Sequence, residues 1–138
     1  IIDIMMVNNK TLGDNQKFGK ALTGAWYEVM DLMKDGDADA LEAMAAASGT
    51  DLAGYNAQLA TTKMFYAPAD AVAFTKSAEL PDTMKFVAEF LFDKGILGEG
   101  APAPEFVGFP DGSVYVDKEN VKLRFDTSYM EMAAEGIM

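Results

Sequence analysis

The chain contains no cysteine and no histidine. Without cysteine it can form no disulfide, zinc–thiolate site or iron–sulfur cluster, and it has no thiol nucleophile. Without histidine it lacks the commonest general base and metal ligand, so no serine or threonine can be activated by an imidazole. We therefore expect a protein that is not an enzyme and that uses no cofactor and no metal.

Basic residues are also scarce, since 11 Lys and Arg stand against 22 Asp and Glu and give a formal net charge of −11. Nucleic acids and anionic membrane surfaces are bound by clustered basic side chains, so the composition disfavours both as partners. An anionic small ligand stays compatible with this charge, because a ring of backbone N–H groups can bind an anion in an acidic protein. No apolar run approaches the roughly 18 residues of a membrane span, so we expect no direct membrane insertion.

With 138 residues, of which 50% are hydrophobic and 24% charged, the chain fits a single globular segment, 1–138. It opens at Ile1 without a basic leader region, which favours a processed chain, a truncated chain or a fragment.

Apolar periodicity predicts a long helix that is capped by Asp14 and ends near Lys34, before Gly36. Its expected buried stripe consists of Phe18, Leu22, Ala25, Trp26, Val29 and Met33. Because Trp26 belongs to this stripe, packing is favoured over a cofactor contact. Tyr27 lies one position further round the helix and could reach a cleft or a neighbouring chain.

The other predicted helices span 38–48, 51–59, 69–76, 81–93 and 128–135. Asp37 and Thr50 are expected to cap the first two of these, with Gly49 in the left-handed conformation between them. The helix over 81–93 is apolar on two adjoining faces, which predicts burial between two layers. These faces consist of Met84, Val87, Ala88 and Leu91, and of Phe86 and Phe90.

Extended structure is predicted in three places. The β-branched and apolar run 1–7 predicts a strand, and Asn8, Asn9 and Lys10 predict the turn after it. Residues 106–109 and 114–116 predict a small hairpin with an Asp-Gly turn, and 121–125 predicts a short extended run.

The segment TTKMFYAP, 61–68, is the strongest candidate binding site. It gathers the hydroxyls of Thr61 and Thr62, a lysine, and the aromatic rings of Phe65 and Tyr66 in a predicted loop, where binding groups are frequent. A connector whose aromatic rings fill the core is an equally good interpretation. A second candidate fails, because Ala40 and Ala46 stand where a calcium loop begun by the three aspartates 35, 37 and 39 requires glycine and glutamate.

Three stretches together suggest a family: GAWYE from Gly24, ATTKMFY from Ala60 and FLFDKGIL from Phe90. In order and spacing the chain resembles the C-terminal portion of bacterial periplasmic solute-binding proteins that serve nitrate, sulfonate, taurine and urea-type ABC uptake transporters. The resemblance implies part of an α/β type II periplasmic-binding fold that is mostly helical here. About five to six helices, one N-terminal crossing strand and a small C-terminal hairpin would complete lobe 1, with 1–9 as the hinge and crossing strand.

The same resemblance implies a periplasmic protein whose partners are a small nitrogen- or sulfur-containing solute and an ABC permease. Asn8 and Asn9 would lie near the hinge and cleft, and Thr61, Thr62, Phe65 and Tyr66 are the candidates for the cleft rim. Such proteins are much longer and bind solute between two lobes. We therefore expect this chain to be a C-terminal fragment or to assemble with the remainder of the binding protein or a second chain. The alternative is a helical interaction module that associates through exposed apolar helix faces.

Overall fold

The computed structural model describes residues 2–98, 100–116 and 118–137. In these ranges the protein has seven α-helices and a two-stranded parallel sheet, and it is 57% helical. The expectation of a mostly helical chain is confirmed. The chain divides into two compact units, one formed by Ile1–Pro68 with Tyr129–Met138 and the other by Ala69–Ser128.

The first unit is helical. Its elements are α1 (Asn9–Asp14), α2 (Gln16–Asp35), α3 (Ala38–Ala47), α4 (Leu52–Leu59) and all but the first residue of α7 (Ser128–Ala134). Along the chain, α1 packs on α2, α2 on α3 and α3 on α4. Met30, Met33 and Ala45 are its buried apolar side chains, and Thr23 is buried among them on α2.

The turns of this unit follow the predicted local chemistry. α2 ends at Asp35, and Gly36 after it has φ 72°. The Asp37 carboxylate caps α3 by accepting a hydrogen bond from the Ala40 N–H at 2.8 Å. Gly49 also has a left-handed φ of 72°, as expected. The prediction of Thr50 as the next cap was wrong by one residue, because Asp51 has the extended backbone of an N-cap and its carboxylate accepts from the Gly54 N–H.

Replacing Asp37 by alanine is expected to destabilise the first unit by about 1 kcal/mol, because the Ala40 N–H at the start of α3 loses its hydrogen-bond acceptor. Urea denaturation measures the loss. Asp39→Ala is the matched control, since Asp39 is an exposed acid in the same first turn that is not the N-cap. Equal losses in the two variants would show that the cap bond contributes nothing.

α2 buries a different face from the predicted one. Of the six predicted stripe residues Met33 alone is buried, whereas Phe18, Trp26 and Val29 are 39%, 47% and 39% exposed. The Tyr129 ring of α7 sits against Gly19, where a Cβ would lie 2.3 Å from the Tyr129 Cζ. A contact made by glycine carries no hydropathy signal, so the true buried side lies one position round the helix. It consists of Gly19, Thr23, Met30 and Met33.

The beginning of the chain also differs from expectation. Residues 2–8 form no regular secondary structure and α1 starts at Asn9, so the predicted strand over 1–7 is wrong for 2–7; Ile1 lies outside the described residues. A strand needs a partner for its backbone groups, and the described chain pairs none with this segment. Asp14, predicted as the cap of the long helix, is instead the last residue of α1, and α2 follows Asn15 without a side-chain cap.

The second unit combines two helices with the sheet. It contains α5 (Pro68–Thr75) apart from its first residue, α6 (Glu79–Asp93), β1 (Val107–Gly108), a 3₁₀ turn (Lys118–Asn120) and β2 (Leu123–Arg124). Its buried apolar side chains are Leu80, Ala88, Val107 and Phe109. The Phe109 ring stacks on Phe125 with centroids 6.2 Å apart and planes 2° from parallel.

The sheet corrects the predicted hairpin. β1 pairs in parallel with β2, Val107 opposite Leu123, whereas the hairpin is reduced to one antiparallel bridge between Gly108 and Val114. The chain does reverse at the Asp-Gly turn, where the Phe109 N–H donates to the Ser113 carbonyl at 2.9 Å. Val116 then takes φ 65°, outside the extended region, and this ends the antiparallel pairing.

α6 buries one of its two predicted apolar faces only in part, since Val87 on that face is 37% exposed. Ala88 is fully buried and Leu80 nearly so, but Phe86 and Phe90 are 71% and 49% exposed. The prediction that both faces are buried was therefore wrong for the aromatic face and for Val87 on the other face. Within the described residues, no packed surface covers the two phenylalanine rings completely.

Candidate functional site

The loop after α4 holds four of the six predicted site residues. Residues 61–67 have no helix or strand, as expected. The Thr61 and Thr62 hydroxyls both donate to the Gln58 carbonyl, at 2.9 and 3.0 Å. This carbonyl lies in the last turn of α4 and also accepts from the Thr61 backbone N–H at 3.1 Å, so both hydroxyls add to the hydrogen bonds that end the helix. Each exposed hydroxyl oxygen still keeps lone pairs with which it can accept a hydrogen bond.

The aromatic part of the loop is only partly open to solvent. Phe65 and Tyr66 are half-buried, and the Lys63 ammonium lies 5.4 Å from the centroid of the Phe65 ring. At this distance the cation is attracted by the ring face. The structure thus joins the predicted cation to one predicted aromatic residue, and the half-burial agrees with a connector that also packs.

The two predicted asparagines lie at the start of α1. The Asn8 side chain caps this helix by accepting from the Lys10 N–H at 2.9 Å, and Asn9 is its exposed first residue. The cap of Asn8 and the two threonine hydrogen bonds are each made within four residues of chain. These bonds therefore do not join the asparagines to the 61–66 loop, and the six candidates are not linked into one site by them.

A shallow groove on α2 was missed by the sequence analysis. Its lining consists of Lys17, Lys20, Ala21, Gly24, Ala25 and Glu28. All six residues belong to one helix, so the groove is an open surface feature and not an enclosed chamber. The available signal was the recurrence of small residues at helical spacing with charges on either side. On the same helix, burial raises the pKa of Tyr27, which is half-buried.

A second missed feature is a polar cluster on α6. The Tyr115 hydroxyl donates to the Glu89 carboxylate at 2.6 Å, and the Lys85 ammonium lies 5.7 Å from the Tyr115 ring centroid. The hydrogen bond to Glu89, helped by partial burial and by the negative charges of Glu89 and Glu105, raises the pKa of Tyr115 to about 12. The cluster fixes the segment after the Asp-Gly turn to α6.

The Tyr115 phenol is expected to ionise near pH 12, and Glu89→Gln is expected to lower its pKa towards the ordinary value of about 10. Because the folded pKa is the higher one, this contribution to stability is complete below about pH 10 and is lost as the pH rises to about 12. The absorbance of tyrosinate, measured as the difference between the protein and its Tyr115→Phe variant, follows the titration. An unchanged midpoint in Glu89→Gln would show that the hydrogen bond does not hold the proton.

In the acidic turn between α2 and α3, Asp37 acts as the N-cap of α3. The bond from the Ala40 N–H to Asp37 accounts for one aspartate of the calcium-like spacing. In 2–98, 100–116 and 118–137, no three acidic side chains come together in a way that could hold a metal ion.

None of the helices in the described part of the chain combines the length and the apolar character needed to cross a membrane.

No protein-family model matches this chain, and no curated protein or solved structure matches it either.

Proposed function

We propose that this chain is the C-terminal part of the solute-binding component of an ABC uptake transporter. The solute would be a small nitrogen- or sulfur-containing molecule of the urea, taurine, sulfonate or nitrate class, and the protein would be periplasmic and not an enzyme. The proposal starts from the resemblance carried by the three stretches that begin at Gly24, Ala60 and Phe90. A mostly helical chain with a short parallel sheet is compatible with part of an α/β lobe.

The observation that carries the proposal is the aromatic face of α6. Phe86 and Phe90 are 71% and 49% exposed on a helix whose opposite side is anchored by the buried Leu80 and Ala88. Contiguous exposed apolar surface of this kind marks an interface with another protein surface. In the proposed role, the remainder of the binding protein covers this face and supplies the second wall of the cleft.

The side chains of the 61–66 loop would then contribute to the rim of the cleft. Thr61 and Thr62 are exposed and can accept hydrogen bonds, and Lys63 adds a positive charge beside the Phe65 ring. A cation and hydroxyls suit a nitrate or a sulfonate, whereas hydroxyl oxygens suit the N–H groups of urea. Asn8 and Asn9 are proposed at the hinge, from the resemblance alone.

Calorimetry tests the proposal with two samples: the polypeptide isolated from its native cell through a C-terminal tag, and the 138-residue chain. Each is titrated with urea, taurine and nitrate. We expect the native polypeptide to bind one of these solutes at one-to-one stoichiometry and the 138-residue chain to bind none, because one wall cannot enclose a ligand. Tight one-to-one binding by the chain alone, or no binding by the native polypeptide, would contradict the proposal.

The alternative function is a helical interaction module. It is favoured by a different observation, the exposed apolar side chains on α2, where Leu32 is 44% exposed and Trp26 is 47% exposed. This alternative would be supported by a native polypeptide that binds no solute and is isolated as a stable complex held together through α2.

A further inference from the structure

The chain contains two Asp-Gly pairs, at 35–36 and at 111–112, and no Asn-Gly pair. Both aspartates and both glycines are exposed to solvent. An Asp-Gly pair is prone to spontaneous rearrangement, because glycine has no side chain to obstruct the approach of its backbone nitrogen to the preceding carboxyl carbon. Each pair is therefore a candidate site of a covalent modification that needs no enzyme.

The rearrangement proceeds through a cyclic imide. The glycine nitrogen forms a bond to the carboxyl carbon of the aspartate, and one carboxyl oxygen leaves as water with the proton of the nitrogen and the proton of the acid. A second water molecule then opens the ring at one of its two carbonyl carbons. One product is aspartate again. The other is isoaspartate, in which the backbone runs through the aspartate Cβ and is one carbon atom longer.

The fold engages both reacting groups of the pair at 111–112. The Gly112 N–H donates to the Phe109 carbonyl at 3.0 Å. The Asp111 carboxylate accepts from the Ser113 N–H at 2.9 Å, and the Phe109 N–H closes the turn on the Ser113 carbonyl. The hydrogen bonds from the Ser113 side chain and backbone also lower the pKa of Asp111, so less of its carboxyl group is in the protonated form that can lose water. Nitrogen and carboxyl group are thus both kept from reacting.

The pair at 35–36 lies at the end of α2 and is held less firmly. The Gly36 N–H donates to the Met33 carbonyl at 3.2 Å. The next N–H, of Asp37, donates to the Leu32 carbonyl at 3.0 Å. In the part of the chain that the structure describes, no hydrogen bond or ion pair engages the Asp35 carboxylate. Because the last turn of a helix frays, a local opening releases the glycine nitrogen while the rest of α2 stays folded.

We propose that Asp35 is a site of spontaneous isoaspartate formation in the folded protein, whereas the turn around Asp111 preserves the second Asp-Gly pair. The additional backbone carbon at position 35 lengthens the connection between α2 and α3, so the two hydrogen bonds that close α2 do not both re-form. The modification therefore loosens the packing of α3 on α2 and destabilises the first unit. The inference is independent of the proposed solute-binding role, because it needs neither a cleft nor a ligand.

Incubation of the 138-residue chain at neutral pH in heavy-oxygen water tests the proposal. Hydrolysis of the imide adds one heavy oxygen atom to the residue that has reacted, and peptide mass spectrometry locates it. In the folded chain we expect Asp35 to take up the label about tenfold faster than Asp111 or more, because several hydrogen bonds have to open together at Asp111. In the same chain unfolded in urea, we expect both aspartates to take up the label at similar rates.

Asp35→Glu is the matched variant, because glutamate keeps the charge and suits a helix but would have to close a larger ring, which forms more slowly. It is expected to lose the label at position 35 and to leave uptake at Asp111 unchanged. After the same incubation, the unaltered chain is expected to unfold at a lower urea concentration than before, whereas Asp35→Glu is expected to keep its midpoint.

Equal uptake at the two aspartates of the folded chain would overturn the proposal, and so would faster uptake at Asp111 or no uptake at Asp35. The same ratio of rates in the unfolded chain would also overturn it, because the local sequence and not the fold would then cause the difference. A midpoint that does not fall on incubation, or that falls equally in Asp35→Glu, would contradict the destabilising effect assigned to the modification.

Discussion

Replacing Leu80 by alanine is expected to destabilise the protein by about 2–5 kcal/mol. Leu80 lies near the start of α6, is 1% exposed and is one of the two largest fully buried side chains among the described residues. Truncation removes apolar contacts and leaves a cavity that the surrounding side chains fill incompletely. Thermal and urea unfolding of the variant measure the loss.

Phe86→Ala on the same helix is the matched control. A larger side chain is removed, but Phe86 is 71% exposed, so the expected loss is within about 0.5 kcal/mol. A loss in Phe86→Ala equal to that in Leu80→Ala would mean that the aromatic face of α6 is covered in the folded chain. That result would remove the structural support for an external partner at this face.

Gly19→Ala is expected to destabilise the first unit by about 1–3 kcal/mol, although alanine is the better helix former. A Cβ at Gly19 would lie 2.3 Å from the Cζ of Tyr129 and 2.7 Å from two further ring carbons. A rigid ring cannot yield as the end of a flexible side chain can, so α7 has to move away from α2. Chemical denaturation quantifies the loss.

Gly13→Ala is the control for helix propensity, because nothing lies within 4 Å of a Cβ at Gly13 in α1. It is expected to be neutral or to stabilise by up to about 1 kcal/mol. In a Tyr129→Ala background, Gly19→Ala should lose its penalty and behave like Gly13→Ala. A penalty that persists without the ring would show that the close approach of Tyr129 to Gly19 is not its cause.

Features set by local chemistry were predictable from the sequence. The left-handed Gly36, the cap at Asp37 and the left-handed Gly49 follow from residues within a few positions of one another. The same holds for the reversal of the chain at Asp111 and Gly112, although the hairpin beyond it stops at Val116. Local sequence signals predicted the positions of these turns but not which helix surfaces pack together.

Features set by distant partners were not predictable. The buried face of α2 is set by the contact between Gly19 and the Tyr129 ring, which lies 110 positions later in the sequence. A hydropathy pattern does not register a contact made by glycine. The apolar run 2–7 has the composition of a strand, but no described strand pairs with it. In the candidate site, composition correctly indicated a loop at 61–66, but the use of both threonine hydroxyls to end α4 depends on the position of one carbonyl, at Gln58.

The intact mass of the native polypeptide tests the central proposal most directly. The C-terminally tagged protein is captured from its own cell and weighed by mass spectrometry under denaturing conditions, with the mass of the tag subtracted. A mass well above 14.9 kDa is predicted, since the proposed role requires a second lobe to face the uncovered helices. A native polypeptide of 14.9 kDa would contradict the account.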